Sequence, residues 1–362
     1  MKKIFIAATK QNDGKTTVSL GLICNFRKNF RKVGFIKPIG QRYLEEEGLK
    51  VDEDSLLIEK VCGIECGLKD MSPIAVEKGF TENYISHPNK AAISRQIKES
   101  FNRVSKRQDM VVIEGTGHAG VGSVFDHSNA EVAKLLGAGV IIVSSGGIGR
   151  PIDEIVLNKA LFEAKGVKVL GAIVNKVLPE KFEKVNRLVR KGLGRKGINV
   201  LGVLPYIPLL SFPTVGQILE ETDFKLLCGK DSLDNPAARI IVGAMEPHDA
   251  IKYIVEDSLL ITPGDREDII MTALGCRSRE NQKRLMVSGL VLTGGITPAK
   301  SIMNLLDESR IPVLASREDT YSVVSYVHDL TVKLKPHDTE KIDTVIKLIN
   351  ENVDLNSILR SI

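Results

Sequence analysis

Long hydrophobic runs are missing from this sequence. The longest charge-free run near the middle, Leu135 to Gly149, is too short and too glycine-rich to span a bilayer. The N-terminus opens directly on a strand pattern, Met1-Lys-Lys-Ile-Phe-Ile, without a cleavage site, so a secretory signal is not expected and the cytoplasm is the expected compartment. Cysteine is sparse. The five residues (24, 62, 66, 228 and 276) are scattered and odd in number, which argues against a disulfide framework, and Cys62 and Cys66 lack the second pair or nearby His that a zinc site needs. Strong charge of either sign is missing too. A net charge of +5 is too mild to imply a nucleic-acid partner. The densest basic stretch, Lys181 to Lys196, carries Phe182, Val185, Leu188 and Val189 on one helical face and suits a solvated amphipathic helix.

The chain has 362 residues, enough for about two domains, and its 43% hydrophobic and 26% charged content is that of a soluble globular protein. An apolar run from Ile4 to Ala8 leads into Ala8-Thr9-Lys10-Gln11-Asn12-Asp13-Gly14-Lys15-Thr16-Thr17, and a helical pattern follows from Val18 to Phe26. Strand, loop, Gly-Lys-Thr and helix in that order build a phosphate-binding loop. Backbone N–H groups curl around the phosphates, Lys15 reaches their outer oxygens, the Thr16 hydroxyl faces Mg²⁺, and the helix N-terminus adds partial positive charge. The match is imperfect, because Thr9 stands where the first glycine belongs, and a polar turn would read the same way. Further on, Phe35-Ile-Lys37-Pro38 ends a second strand with a cation. Residues 43 to 58 are acidic and contain Asp52-Glu53-Asp54-Ser55. Asp109 to Glu114 reads as a buried strand opening onto Gly115-Thr-Gly117-His118. Strands follow at Gly139 to Ser144, Val167 to Val174 (then Asn175-Lys176) and Val200 to Pro205. The β-α alternation predicts an α/β fold with a mostly parallel sheet, whose ligands bind at the carboxyl ends of the strands.

These segments resemble the dethiobiotin synthetase and MinD-like ATPase group. Lys10 stands five residues before Lys15, as in their deviant phosphate loops, and Phe35-Ile-Lys37-Pro38 looks like the F-x-K-P segment shared with cobyrinate diamide synthases and the synthetase-like domain of long phosphate acetyltransferases. The resemblance implies ATP and Mg²⁺ as cofactors. It implies nucleotide contacts from Thr9, Lys10, Asn12, Gly14, Lys15, Thr16, Thr17, Asn175 (to adenine) and Pro205, with Thr16, Asp54 and Glu114 around the metal and Lys15 and Lys37 as catalytic lysines. Read from the residues alone, Asp52 to Ser55 also suits a helix cap, Lys37 an exposed strand end and Asn175 a turn. His118 departs from the family, which often has glycine there.

The composition changes at Gly229 to Pro236, and further βα units follow at Ile240 to Ala244, Ser258 to Thr262, Leu285 to Leu292 and Pro312 to Ala315. Gly264-Asp265-Arg266 and Thr293-Gly294-Gly295 fall just after two of these strands. They resemble the two halves of the motif that names the DRTGG domain, though glycines beside strand ends also make plain turns. The expected organisation is a synthetase-like P-loop domain over 1–225, a linker over 226–236, a smaller α/β DRTGG domain over 237–345, and a tail over 346–362.

Within these 362 residues no second P-loop, glutaminase segment or acetyltransferase catalytic domain is expected. Three functions are consistent with the resemblance. The first is a nucleotide-dependent regulator holding a metabolite at Asp265, Arg266 and Thr293 to Gly295, with a protein partner in acetyl-phosphate or related metabolism. The second is an ATP-dependent carboxylate-amine ligase, and the third is a scaffold with a dead loop, suggested by Thr9 and Asp13. Lys10, which acts across subunits in some relatives, implies a homodimer. No membrane or nucleic-acid partner is expected.

Overall fold

The computed structural model describes residues 1–46, 48–275, 287–330 and 332–362. Cys276 and the start of the strand expected at Leu285 lie outside the described residues. Two compact units are present: Met1–Tyr206 together with Leu334–Ile362, and Ile207–Lys333.

The first unit is built on a six-stranded, all-parallel sheet of β1 (Lys2–Ala8), β2 (Val33–Ile36), β3 (Met110–Glu114), β4 (Gly139–Ser145), β5 (Val169–Val177) and β6 (Val200–Pro205), in the order β6-β5-β4-β1-β3-β2. Helices cover both faces, which is why the strands read as continuous apolar runs rather than alternating ones: Ile4 to Ala8 and Met110 to Ile113 are fully inaccessible. β1 lies at the centre, between β3 and β4, and leads through the Thr9–Gly14 loop into α1 (Lys15–Phe26).

α1 is apolar almost all round, as a helix covered on several sides must be. One of its covers comes from the end of the chain. The helix Thr339–Asn352 buries Ile342, Val345, Leu348 and Ile349, and it meets α1 so closely that a Cβ at Gly21 would lie 2.3 Å from Ile349 Cγ1. The buried Asn25 amide donates to Ile346 O at 3.0 Å. After this helix, Asp354 N–H bonds Leu201 O, and Lys2 Nζ bonds Leu359 O at 2.6 Å. Residues 346–362 are therefore helical and packed into the first unit, not a tail. Apolar helical faces need a partner surface, and α1 supplies it.

The second unit carries a five-stranded sheet of β7 (Lys225–Cys228), β8 (Arg239–Val242), β9 (Ser258–Pro263), β10 (Gly289–Thr293) and β11 (Val313–Ala315), ordered β7-β11-β10-β9-β8, with β7 antiparallel and the rest parallel. Alternate residues feed two cores. Leu260, Leu290, Leu292 and Val313 pack with Ile269, Ile270 and Leu306 on one face, and Leu259, Ile261, Val291 and Leu314 pack with Val323, Val327, Val215 and Ile218 on the other. Residues 208–236 belong here as well: β7 is an edge strand, and the Thr214 capping box starts the helix Val215–Glu220. The unit boundary thus falls at Tyr206 rather than near residue 225, and the segment expected as a linker is folded, because β7 completes the sheet edge. Among the described residues no helix is long and apolar enough to cross a membrane.

Candidate phosphate-binding site

The carboxyl ends of β1, β2 and β3 bring together the residues read from the sequence as the site's chemistry. Gly14 caps α1 at φ 93°, ψ 33°, a left-handed conformation that favours glycine. Lys15, Thr16 and Thr17 follow in the first turn of α1. Thr16 Oγ1 donates to Glu114 Oε1 at 3.1 Å, across from the end of β3. Burial pushes the Lys15 ammonium below its usual range, with Glu114 pulling the other way.

Lys37, leaving β2, is 7% exposed and sits among three carboxylates. Its Nζ lies 2.9 Å from Asp52 Oδ1, in short contact with Asp54 Oδ2, and 3.9 Å from Glu114 Oε1. Burial opposes its charge, but Asp54, Asp52 and Glu114 outweigh it and hold the ammonium protonated. Lys37 is therefore an interior cation, not an exposed strand end. The two readings of the acidic segment also separate. Asp52, 1% exposed, is the cap of the helix Glu53–Cys62, accepting from Asp54 N–H at 3.0 Å, while Asp54 in the first turn reaches Lys37.

Glu114 is fully inaccessible, and its carboxyl is pushed up to about 7 by burial and by Asp54, with Lys37 and Lys15 pulling it back. Its Oε2 and Asp52 Oδ2 have no hydrogen-bond partner among the described residues. Among the described residues no group of three His, Cys, Asp or Glu side chains is arranged to hold a metal by itself. The Thr16 hydroxyl and the Glu114 carboxylate are nevertheless hard oxygen donors of the kind a Mg²⁺ ion shared with phosphates takes, and Asp54, its Oδ2 held by Lys37, is a third carboxylate beside them, so Thr16, Asp54 and Glu114 fit such an ion.

The irregular loop is explained by Asp13 and Asn175. Asp13 is 1% exposed. Its Oδ2 accepts from Thr9 Oγ1 at 2.7 Å and from Lys10 N–H at 3.0 Å, so the carboxylate ties the loop to itself. Burial raises its pKa, and these bonds lower it again. Thr9 Oγ1 is also 3.1 Å from Ser144 Oγ at the end of β4 and 3.2 Å from Glu154 Oε2. Asn175, expected at the adenine base, is 4% exposed and spends one amide hydrogen on Asp13 O at 2.9 Å, while its Oδ1 accepts from Lys176 N–H. Lys176 Nζ in turn bonds Asn12 O at 2.9 Å. The bracing roles of Asn175 and Lys176 escape a linear reading, because each joins the loop to the end of β5, 162 and 164 positions away. Pro205 ends β6 in register with Val177; in the loop Lys10 is half-buried and the exposed Asn12 takes φ 63°. His118 is exposed and accepts from Gly120 N–H, while the buried Asn129 amide pins the loop by bonding Thr116 N–H and the carbonyls of Thr116 and His118.

In the second unit the two glycine motifs meet. Pro263 pairs with Thr293, Gly264 N–H reaches Thr293 O at 3.3 Å, and a Cβ at Gly264 would lie 1.8 Å from Ile296 O. Gly294 and Gly295 take φ 78° and 67°, and their N–H groups bond Glu318 O and Ser316 O. Thr293 Oγ1 lies 2.7 Å from Thr320 Oγ1. Asp265 is exposed; Arg266 forks onto both Asp268 oxygens at 2.9 Å and onto Met245 O at 2.8 Å.

A family model described as an AAA domain matches residues 2–214, and one described as a DRTGG domain matches residues 217–330. Phosphate acetyltransferase of Nitratidesulfovibrio vulgaris is 27% identical over 361 residues, spanning 97% of this chain and 50% of that protein. The Pseudomonas putida phosphate acetyltransferase is 26% identical over 373 residues, spanning 98% and 51%. The chain spans about half the length of the curated relatives it matches. Among solved structures, a MinC:MinD cell division protein complex of Aquifex aeolicus is 18% identical with a TM-score of 0.38, over 58% of this chain and 84% of that one. With its first model matched over more than half of its length, the chain belongs to the AAA domain family and carries a DRTGG domain after it.

Proposed function

We propose that the first unit binds ATP with Mg²⁺, and that the chain is a nucleotide-dependent regulatory module whose second unit holds a small acidic metabolite. The observation that carries the nucleotide reading is the convergence, at the carboxyl ends of neighbouring parallel strands, of a left-handed Gly14, two lysines and a buried Glu114 bonded to Thr16. Lys15 and Lys37 supply positive charge for phosphate oxygens. Thr16, Asp54 and Glu114 would hold the metal or its waters, and the ion would neutralise charge on the β- and γ-phosphates. The half-length match to phosphate acetyltransferases supports a partner in acetyl-phosphate or related metabolism. The adenine contact of Asn175 remains part of the proposal through the amide hydrogen and lone pair that its bonds to Asp13 and Lys176 leave over. A homodimer through the first unit is proposed from Lys10.

In the second unit, Arg266 would have to exchange Asp268 for the ligand's acidic group, which makes binding an ion-pair swap. A second reading, ATP-dependent carboxylate-amine ligation, is favoured by one feature: Lys37 is buried beside the metal candidates, where a transferring phosphoryl group would be stabilised. The deciding experiment is calorimetric titration of ATP with Mg²⁺ into wild type and Lys15→Ala. Loss of one charge-assisted contact should weaken binding by about 1.5–3 kcal/mol. Equal affinity in both proteins would overturn the nucleotide reading. ATP turnover measured across a panel of carboxylate and amine substrates, with a product formed in any of them, would favour ligation over regulation.

A further inference from the structure

The sequence gives no sign that any two of its cysteines belong together, yet the fold brings one pair into contact. Cys24, on α1, and Cys62, the last residue of the helix Glu53–Cys62, have their sulfurs 3.5 Å apart. They are 38 positions apart in the chain and lie on two helices that pack against each other. A disulfide needs about 2.05 Å between sulfurs, so closure requires an approach of about 1.5 Å. The two thiols differ in character. Cys62 is 2% exposed, whereas Cys24 is half-buried.

We infer that Cys24 and Cys62 form a redox-active dithiol that closes to a disulfide, clamping α1 to the helix Glu53–Cys62. The environment assigns the order of events. The sulfur contact with Cys62, followed by the charges of Arg27 and Lys28, lowers the pKa of Cys24 against the effect of burial; the same contact and burial raise that of Cys62. Arg27 is held in place by donating its Nη1–H to Cys62 O. Cys24, half-buried where Cys62 is 2% exposed, is the sulfur that a small disulfide reaches, and it is the attacking thiolate.

The oxidant is a low-molecular-weight disulfide, reacting by exchange. The Cys24 thiolate attacks one of its sulfurs, the S–S bond breaks, and one small thiolate leaves. Cys62, having lost its proton, then attacks Cys24 Sγ and expels the second small thiolate. The two protein thiols are oxidised by two electrons in all, the small disulfide is reduced to two thiols, and the two cysteine protons end on those thiols. Closure spans the C-terminal ends of two helices whose first turns carry Lys15 and Thr16 on one and Asp54 on the other. The clamp therefore acts on the framework of the site, whatever the site binds.

The test uses the full chain equilibrated with mixtures of oxidised and reduced glutathione, then alkylated and mapped by mass spectrometry under non-reducing conditions. A peptide linking Cys24 to Cys62 is expected, together with a rise in Tm of roughly 5–10 °C that dithiothreitol reverses. Cys24→Ser, at the half-buried position, should abolish both, and Cys66→Ser should abolish neither. Glutathione persisting on Cys24 without closure would overturn the inference. Linkage of either residue to another cysteine, or closure that leaves Tm unchanged, would do the same. The mapping on wild type stands even where a variant folds poorly.

Discussion

Asn175 occupies the space into which a side chain on Gly14 would have to grow: a Cβ there would stand 2.2 Å from Asn175 Nδ2, the atom that donates to Asp13 O. Gly14→Ala therefore meets a steric clash and an unfavourable φ of 93° together. The substitution should cost about 1–3 kcal/mol of stability and disturb the loop that Asn175 braces. Urea unfolding monitored by circular dichroism checks it, and a variant as stable as wild type would show that the loop relaxes freely.

Lys37 is the cation shared by the buried Asp52 and Glu114 and the partly buried Asp54. Lys37→Ala removes it and leaves Asp52, Asp54 and Glu114 facing one another, so a loss of about 3–5 kcal/mol is expected near pH 8. At pH 5 the loss should shrink, because carboxylates without a counter-ion take up protons. Equal losses at the two pH values would contradict the electrostatic account.

Glu114 gives a pH dependence of opposite origin. Its carboxyl is raised from 4.5 to about 7 in the folded protein, so folding favours the protonated form. Its contribution is most favourable below pH 4.5, declines as the pH rises through 7, and is least favourable above that. Glu114→Gln should therefore gain stability relative to wild type, on the order of 2 kcal/mol, at pH 8 but not at pH 4.5. Denaturation midpoints of the two proteins across this range decide it; parallel curves would refute the shift.

Removal of residues 334–362 should unfold the first unit. Four apolar side chains of the helix Thr339–Asn352 are buried, each contributing about 1.5–3 kcal/mol, against a total stability of about 5–15 kcal/mol. A chain of residues 1–333 that melts cooperatively at the wild-type temperature would disprove this. Gly21→Val tests the same contact more gently and should cost about 1–3 kcal/mol by overpacking against Ile349.

How far the sequence discloses these features depends on the range of the contacts. β1, β3 and β4 were legible because burial on both faces leaves unbroken apolar runs, and Gly14-Lys15-Thr16 because a loop and the helix after it are local. Lys37 and Glu114 were recognisable as strand-end charges. Their clustering with Asp52 was not, since it depends on strand order. Asp13 looked like an electrostatic fault beside the phosphates; its bonds to Thr9 and Lys10 N–H make it a brace. The Asn175 contact joins residues 162 positions apart and left no trace in any window. The place of the last helices is hidden for a related reason: an amphipathic helix such as Thr339–Asn352 announces that it has an apolar face, but not which surface that face will cover.

The chain leaves the first unit after Tyr206 and returns at Leu334, which sets a timetable for synthesis. When β6 emerges from the ribosome, α1 still lacks the helix that seals it, and that helix arrives only after about 150 further residues, roughly 7–30 s at ordinary elongation rates. The second unit, contiguous in sequence, can form during that wait. The nascent first unit meanwhile exposes the flank of α1 around Gly21 and Asn25, so the first unit is sealed by a segment made after the whole of the second.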